Sequence, residues 1–291
     1  MNTIWSDHVQ GIDTLYLTRS LRFDDHFKNQ YLPHLALDVK KKLRILEIGC
    51  GPGALAESLH RWYPNAEIIG IDRDSHFVSF AKEHISGVTF LEGDATSLPF
   101  ADNSFDVTIS NTVSEHIEPS AFYTEQMRVL KSGGICLVLS ARKGINLPAS
   151  GLENGAYEQA FWEKVNMHDH SMEEYHVCKY PMTEAEMPLT MEKYGFTNIQ
   201  TQYAVIPLTP DDPVYSKEMA LRMINAGRYC AIDAVHSAVK TIPEYISRIE
   251  AEEIISLINE KYDQRIQRYI RGEKLWNTNV SLTMILRGEK P

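Results

Sequence analysis

No stretch of this 291-residue chain comes near twenty consecutive apolar residues, so nothing in it reads as a membrane span. The opening residues, MNTIWSDHVQGIDTLYLTRS, lack a basic start followed by an apolar run, and no secretory leader is expected. Cysteine is scarce. The four thiols, Cys50, Cys136, Cys178 and Cys230, are scattered and form no CxxC pair, which points to reduced thiols in a cytoplasmic protein. Positive charge is short as well: 29 Lys and Arg stand against 39 Asp and Glu, a formal net charge of −10. Nucleic-acid binding relies on basic surface to displace counterions from phosphate, so no nucleic-acid partner is expected. Internal repeats, low-complexity tracts and Gly/Ser linkers are missing too.

What is present is enough apolar material for a sizeable core: 43% of residues are hydrophobic and 23% charged. The length allows one large domain or a core with a smaller second part. Between Lys42 and Arg142, short apolar strands alternate with helical segments. LRILEIG (43–49), EIIGID (67–72), VTFLEGD (88–94), FDVTISN (105–111) and GICLVLSA read as strands. ALAESLHRWY, SHFVSFAKEHI and PSAFYTEQMRVL read as the helices between them, Pro119 opening the last and Lys131-Ser-Gly-Gly134 closing it. Apolar strands separated by helices imply parallel strands covered on both faces, an α/β doubly wound sheet.

The remainder departs from that pattern. Residues 1–41 read as amphipathic helices, and 143–182 as an irregular stretch rich in aromatics and histidine. TEAEMPLTMEKYGF is expected to be a helix ending at Gly195, and TNIQTQYAVIPL (197–208) a strand. A helical block follows over about 213–272, with Ile246, Ile249, Ile254, Ile258, Tyr262, Ile266 and Ile270 at three-to-five-residue spacing. NVSLTMILRGE (279–289) alternates like a strand. A strand that late makes the helical block an insertion into the sheet.

In ILEIGCGPGA (45–54) a strand runs into three glycines and then a helix. Gly49-x-Gly51-x-x-Ala54 fits the fingerprint of dinucleotide-binding loops, and Asp72 stands about twenty residues on, where an acid accepts hydrogen bonds from ribose hydroxyls. Both features suit NAD, and both suit any ribose-bearing ligand on such a sheet. Asp94, at the tip of the third strand and followed by small residues, is placed to accept a bond from an adenine amine. The fourth strand ends in SNTVSEHI, which brings polar groups over the same crevice. Taken singly, Asp72 and Asp94 are better read as turn or helix-cap carboxylates.

The ordered series ILEIGCGPG, GIDRD, GDATSLPFADNSFDVTISN and EQMRVLKSGGICLVLS resembles the class I S-adenosylmethionine-dependent methyltransferases, in the small-molecule group that includes the ubiquinone/menaquinone-biosynthesis methyltransferases. The resemblance covers about 43–140 and resumes with TMEKYGFTNIQ and VSLTMILRGE. It does not extend over 1–41, 143–182 or 213–275. It implies a seven-stranded Rossmann-like sheet in the order 3-2-1-4-5-7-6, the last strand antiparallel, and S-adenosylmethionine as cofactor. It further implies that Gly49, Gly51 and Gly53 admit the methionine and ribose against bare backbone, and that Glu47 holds the cationic amino group. Asp72, followed by Arg73, would take the ribose hydroxyls, Asp94 and Ala95 would frame the adenine, and Asn111 would reach the methionine end. The division that follows is a cofactor-binding core of 43–142, 183–209 and 276–291, an N-terminal helical cap segment of 1–42, and cap or substrate insertions at 143–182 and 210–275. An NAD-dependent oxidoreductase and a non-catalytic cofactor-binding sensor are the alternative readings.

Methyl transfer from a sulfonium is an in-line displacement, so the enzyme mainly aligns the acceptor and excludes water. A hydroxyl or ammonium acceptor needs a base as well. His116, after the fourth strand, is the catalytic candidate, with Glu115 beside it; Arg142, after the fifth, is a candidate for an acidic substrate. Tyr16, Arg19 and Trp162 are further substrate candidates, in segments read as a helical cap enclosing a small-molecule acceptor. The bland reading is that such aromatics pack the cap's own core. His168, His170, His176 and Cys178 are metal-ligand types, but their spacing suits a polar loop better, and no metal is expected. Cys178 and Cys230 raise arsenite methylation as a minor alternative, although EEYHVCKYP and AGRYCAIDA do not resemble that family's segments. The isoleucine-rich helix near 244–271 is a candidate homodimer surface.

Overall fold

The computed structural model describes residues 5–149, 152–170, 175 and 177–291. Parallel strands sandwiched between helices must be apolar at consecutive positions. Arg44–Ile48 (β1) is the clearest case, with every residue after Arg44 buried. It pairs in parallel with Glu67–Asp72 (β2) on one side and Phe105–Asn111 (β4) on the other. Thr89–Glu92 (β3), Leu130–Leu147 (β5), Thr197–Leu208 (β6) and Thr278–Glu289 (β7) complete a seven-stranded sheet in the order β3-β2-β1-β4-β5-β7-β6. β7 is the antiparallel member. The expected fold class and strand order are those observed.

The helices in chain order are Trp5–His8 (α1), Ile12–Arg22 (α2), Lys28–Leu35 (α3), Ala54–Trp62 (α4), Ser75–His84 (α5), Pro119–Val129 (α6), Ala156–His168 (α7), Glu186–Lys193 (α8), Lys217–Thr241 (α9) and Arg248–Ile270 (α10). Pro119 opens α6, where its missing N–H is one the helix leaves unpaired anyway. None of the described helices is long and apolar enough to cross a membrane.

By internal contacts the chain forms two compact units. One, from Arg22–Lys143, His176–Ile206 and Ser281–Pro291, is the sheet unit. Its core joins Leu46, Ile48, Ile69 and Ile71 to Phe105, Phe122, Tyr123 and Leu286, none more than 4% exposed. The N-terminal segment contributes here through α3. Tyr31 stacks on Trp62 of α4, Trp62 Nε1 donates to Asp25 at 2.7 Å, and Phe23 is buried, its carbonyl accepting from Ser58 Oγ at 2.8 Å.

Met1–Leu21, Gly144–Tyr175 and Pro207–Val280 make up the other unit, which is helical. α9 and α10 pack together, each started by a serine whose hydroxyl accepts from the third N–H beyond it, Ser216 from Met219 and Ser247 from Glu250. Phe161, Val235, Ala238, Ile242, Ile246, Ile254 and Ile258 form its core. Ile249 and Ile270, in the same isoleucine series, are 71% and 51% exposed. At the base of the insertion, Asp211 Oδ2 accepts from Arg265 Nη2 (2.7 Å) and from the amides of Leu275 (3.0 Å) and Trp276 (2.7 Å). Arg265 Nε donates to Asn277 at 2.9 Å. This buried pair therefore ties the start of the insertion to its end.

Three local expectations are corrected. Lys131–Gly134 does not close α6. The helix stops at Val129 and Leu130 turns extended, pairing with Phe105 across a register shift between Phe105 and Val107 that absorbs the extra residues. Gly133 N–H donates to the Lys290 carbonyl at 2.8 Å, and Lys290 N–H donates to the Gly134 carbonyl at 2.9 Å, so the end of β7 holds the glycines in the sheet. Nor is 143–182 irregular throughout. β5 runs on to Leu147, and α7 forms because Phe161 reaches the helical core with Trp162 and Val165 packed beside it. β3 is shorter than 88–94, since Gly93 donates to the Asp72 carbonyl (2.9 Å) and Asp94 begins a turn.

Candidate functional site

The residues of the glycine segment meet the end of β2. Gly49 and Cys50 N–H both donate to the Ile71 carbonyl, at 2.8 and 3.0 Å, and Gly51 N–H donates to Asp72 Oδ2 at 2.7 Å. Gly49 has φ 67° and Gly53 φ 90°, the left-handed region that a side chain disfavours. Space forbids a side chain as firmly: a Cβ on Gly49 would lie 2.5 Å from Val113 Cγ2, and one on Gly53 would lie 2.6 Å from Ile85 Cδ1. The loop therefore offers bare backbone at the start of α4.

Glu47 sits under that loop, 2% exposed. Burial pushes its carboxyl well above the usual carboxylate range, neighbouring Asp72 adds to the rise, and the Ala56 N–H of α4's first turn pulls it back. Among the described residues its Oε2 is buried with no hydrogen-bond partner. A buried carboxyl with an unpaired oxygen is stabilised as the anion by an incoming cation, so the site is chemically matched to an ammonium group.

Asp72 caps the turn after β2. Its Oδ1 accepts from Asp74 N–H at 2.9 Å, while Oδ2 takes Gly51. Burial raises its pKa; the Asp74 and Gly51 amides oppose the rise, as does the charge of Arg73, which is exposed. A carboxylate has about four acceptor sites, so two remain for ligand hydroxyls. Asp94 is exposed at the tip of β3, its Oδ1 accepting from Thr96 N–H (2.8 Å) and Oγ1 (2.7 Å), with Ala95 packed against the sheet core. Asn111 ends β4, half-buried, and is followed by Thr112 at φ 53°, held by its N–H to the Leu139 carbonyl at 2.8 Å. A β-branched residue in that conformation is a true outlier, worth about 1–3 kcal/mol of strain. Such strain concentrates where a chain must present a particular group.

His116 lies in the turn after β4. Its Nδ1 accepts the Cys178 N–H at 2.8 Å, and two residues on the Tyr180 N–H donates to the Glu115 carbonyl at 2.9 Å. Burial lowers its pKa, with the Glu115 charge opposing and Arg73 reinforcing; a hydrogen bond to the Thr112 backbone also opposes. Arg142 is engaged within the sheet unit. Its Nη1 donates to the Met182 carbonyl at 2.9 Å, Nε stands 3.5 Å from Glu184, and Nη2 contacts the Met187 sulfur. In the helical unit, Tyr16 and Arg19 are half-buried on α2. Trp162 packs edge-on against Phe161 at 5.0 Å, beside that unit's core. His168 stacks on Tyr245 at 3.7 Å. His176 lies outside the described residues, and among those described no three His, Cys, Asp or Glu side chains gather as for a metal. Cys50 and Cys136 are buried, and burial pushes both thiols up, Cys136 to about 12.

Sequence reasoning missed Val113, whose side chain makes Gly49 obligatory, and the backbone of 178–180, which pairs with the turn after β4. Neither carries a sequence signal, because both act through proximity across the fold.

Residues 46–138 match the family model described as a methyltransferase domain. Among curated proteins, the chain is similar to a fatty-acid O-methyltransferase of Mycolicibacterium smegmatis, 40% identical over 38% of this chain and 41% of that protein. It is also similar to a ubiquinone/menaquinone biosynthesis C-methyltransferase of Desulfotalea psychrophila, 35% identical over 33% of this chain and 40% of that protein. The chain thus matches about two fifths of the length of these relatives. Among solved structures it resembles a phosphoethanolamine N-methyltransferase 2 of Haemonchus contortus in complex with S-adenosyl-L-methionine. That likeness has a TM-score of 0.53 and 21% identity, and covers all of this chain and 60% of that one.

Proposed function

We propose that this chain, whose sheet and motif series are those of the class I S-adenosylmethionine-dependent methyltransferases, moves a methyl group from that cofactor to a small-molecule acceptor. The observation that carries the reading is the buried, unpaired Glu47 oxygen under a loop that admits no side chain at Gly49 or Gly53. S-Adenosylmethionine joins an ammonium, a ribose and an adenine, and the residues fit all three. Glu47 would hold the ammonium, with Gly49, Gly51 and Gly53 giving close backbone approach. Asp72, steadied by two amides and flanked by Arg73, would take the ribose hydroxyls. Asp94 and Ala95 would frame the adenine, and Asn111 the methionine end. When bound, the cofactor supplies a methyl group already activated by its sulfonium.

This chain's residues then orient the acceptor and exclude water. We assign acceptor selection to the helical unit, with Tyr16, Arg19 and Trp162 as its candidates. Arg142 is assigned to the sheet unit's own packing, because its guanidinium already holds Met182 and Glu184.

The dinucleotide alternative meets a physical objection. A pyrophosphate uses the N-terminal amides of the helix after the glycine loop. Here Glu47 already takes the Ala56 amide, and its carboxyl would stand against a second anion. Titration calorimetry with S-adenosylmethionine, S-adenosylhomocysteine and NAD separates the readings. Micromolar binding of the first two and none of NAD is expected; NAD binding alone would overturn the proposal. Transfer of a labelled methyl group into a pool of small metabolites then distinguishes an enzyme from a sensor.

A further inference from the structure

His116 has the residue type and position of a general base, yet its ring is already committed to the backbone around it. A base needs a free lone pair, and the neutral imidazole has only one. Here that lone pair, on Nδ1, receives the Cys178 N–H at 2.8 Å. The proton therefore sits on Nε2, which can donate but not accept. The ring is one of two pins. The other, the Tyr180 N–H to Glu115 carbonyl bond at 2.9 Å, lies one residue back in the turn and two residues on in the facing segment. Between them they hold the strap 177–180 against the turn that follows Asn111. Cys178 itself is exposed and left-handed, with φ 54°, a conformation that a free segment would abandon.

We infer that His116 is a positioning residue whose unprotonated Nδ1 fastens the 177–180 strap to the end of β4, and that the proton acceptor of any transfer lies elsewhere. Protonation turns Nδ1 into a donor facing a donor, so the pin opens in acid. Among the described residues, the charged groups around the ring are Glu115 in its own turn, which favours the imidazolium, and Arg73 from the loop after β2, which opposes it. The Thr112 backbone favours the imidazolium as well, and burial, the largest influence, opposes it. The Cys178 thiol on the strap, though on an exposed residue, is shifted up by partial desolvation and by Glu115. The strap's own cation, Lys179, lies over the ring of Tyr180. The balance places opening below the ordinary imidazole range: the pin is intact at neutral pH and lost as pH falls through the depressed value.

The inference deepens the proposed methyl transfer but is tested first without any ligand. Hydrogen exchange of the Cys178 and Tyr180 amides is followed by NMR from about pH 4 to 8, a span that reaches below the ordinary histidine range, and expressed as protection so that intrinsic rates cancel. In the wild type, Cys178 protection should fall at least about tenfold towards the acid end of that range. His116→Asn, which keeps an acceptor near the Nδ1 position but cannot titrate, should hold protection flat throughout, and His116→Ala should lose it throughout. Wild-type protection that ignores pH, or full protection in His116→Ala, would overturn the inference. Transfer of label from S-adenosylmethionine into a small-metabolite pool adds a second arm. His116→Asn should retain activity within about threefold, whereas loss of a general base costs about 10²–10⁴-fold. Loss of that size with the strap still protected would make His116 the base. Should the wild type bind no cofactor at all, the exchange result still decides the strap.

Discussion

The sheet unit and the helical unit are built on different physical principles. In the sheet unit, position is fixed by backbone: parallel ladders set the register, and the glycine loop is shaped by amides donating to Ile71 and Asp72. In the helical unit, position is fixed by side chains. Two long helices meet through isoleucine and alanine, and one buried ion pair closes the base. The sheet unit can thus demand particular residues at particular places, whereas the helical unit demands mainly apolar volume. A site that must recognise one unvarying cofactor belongs on the first kind of scaffold. A surface that selects one acceptor among many chemistries belongs on the second.

The sharpest way to test that contrast is at Gly49. Gly49→Val adds a side chain at φ 67° against Val113, and no detectable cofactor binding is expected by calorimetry. Circular dichroism checks that the variant folds, since overpacking costs about 1–3 kcal/mol. A variant that is folded and still binds would show that the loop is not the site. Next comes the base of the helical unit. Arg265→Ala leaves Asp211 charged, buried and short of a partner, which should destabilise by about 3–5 kcal/mol in urea unfolding. If the two units are energetically distinct, cofactor affinity should hardly move. Parallel loss of both properties would erase the distinction drawn above.

A smaller effect is expected at Asp72. Asp72→Asn keeps the shape but removes charge from the hydrogen bonds to ribose, each worth about 1.5–3 kcal/mol. That corresponds to roughly ten- to hundredfold weaker binding. An unchanged dissociation constant would assign Asp72 to the turn alone. The smallest effect is a slope. Glu47 has its pKa raised by burial, so the folded state holds that proton more tightly than the unfolded chain does. The contribution is fully present below the ordinary carboxylate pKa and is lost as pH rises through the raised value. The cofactor-free protein should therefore lose melting temperature across that window, and Glu47→Gln should lose less. Identical slopes would place the cost elsewhere.

The same contrast explains what the sequence disclosed. The strands, the glycine loop and Asp72 are legible because covered parallel strands and tight turns constrain residue type position by position, whereas the strand order is implied only by the family resemblance. β2 and β4, parallel and largely buried, are read at their observed bounds for that reason. α7 was not read, because its apolar stripe is narrow and its buried Glu158 is satisfied by Lys261, far along the chain on α10. The role of His116 was likewise hidden, since its partner is a backbone amide and any residue but proline supplies one. The turn at Lys131–Gly134 misled because two glycines signal a stop only when nothing else claims their backbone. Here Lys290, just past β7, takes the Gly133 amide and donates to the Gly134 carbonyl.

The knot of Asp211, Arg265 and the Leu275–Trp276 amides has a consequence for how such a chain can change. Thr209 and Thr278 touch through their hydroxyls at 3.2 Å, so the excursion departs from and rejoins the strands at a single doorway. Helices beyond a shared doorway can be lengthened, trimmed or exchanged without shifting the pairing of the strands on either side of it. Chains built this way can remodel the excursion without rewriting the strands that flank it.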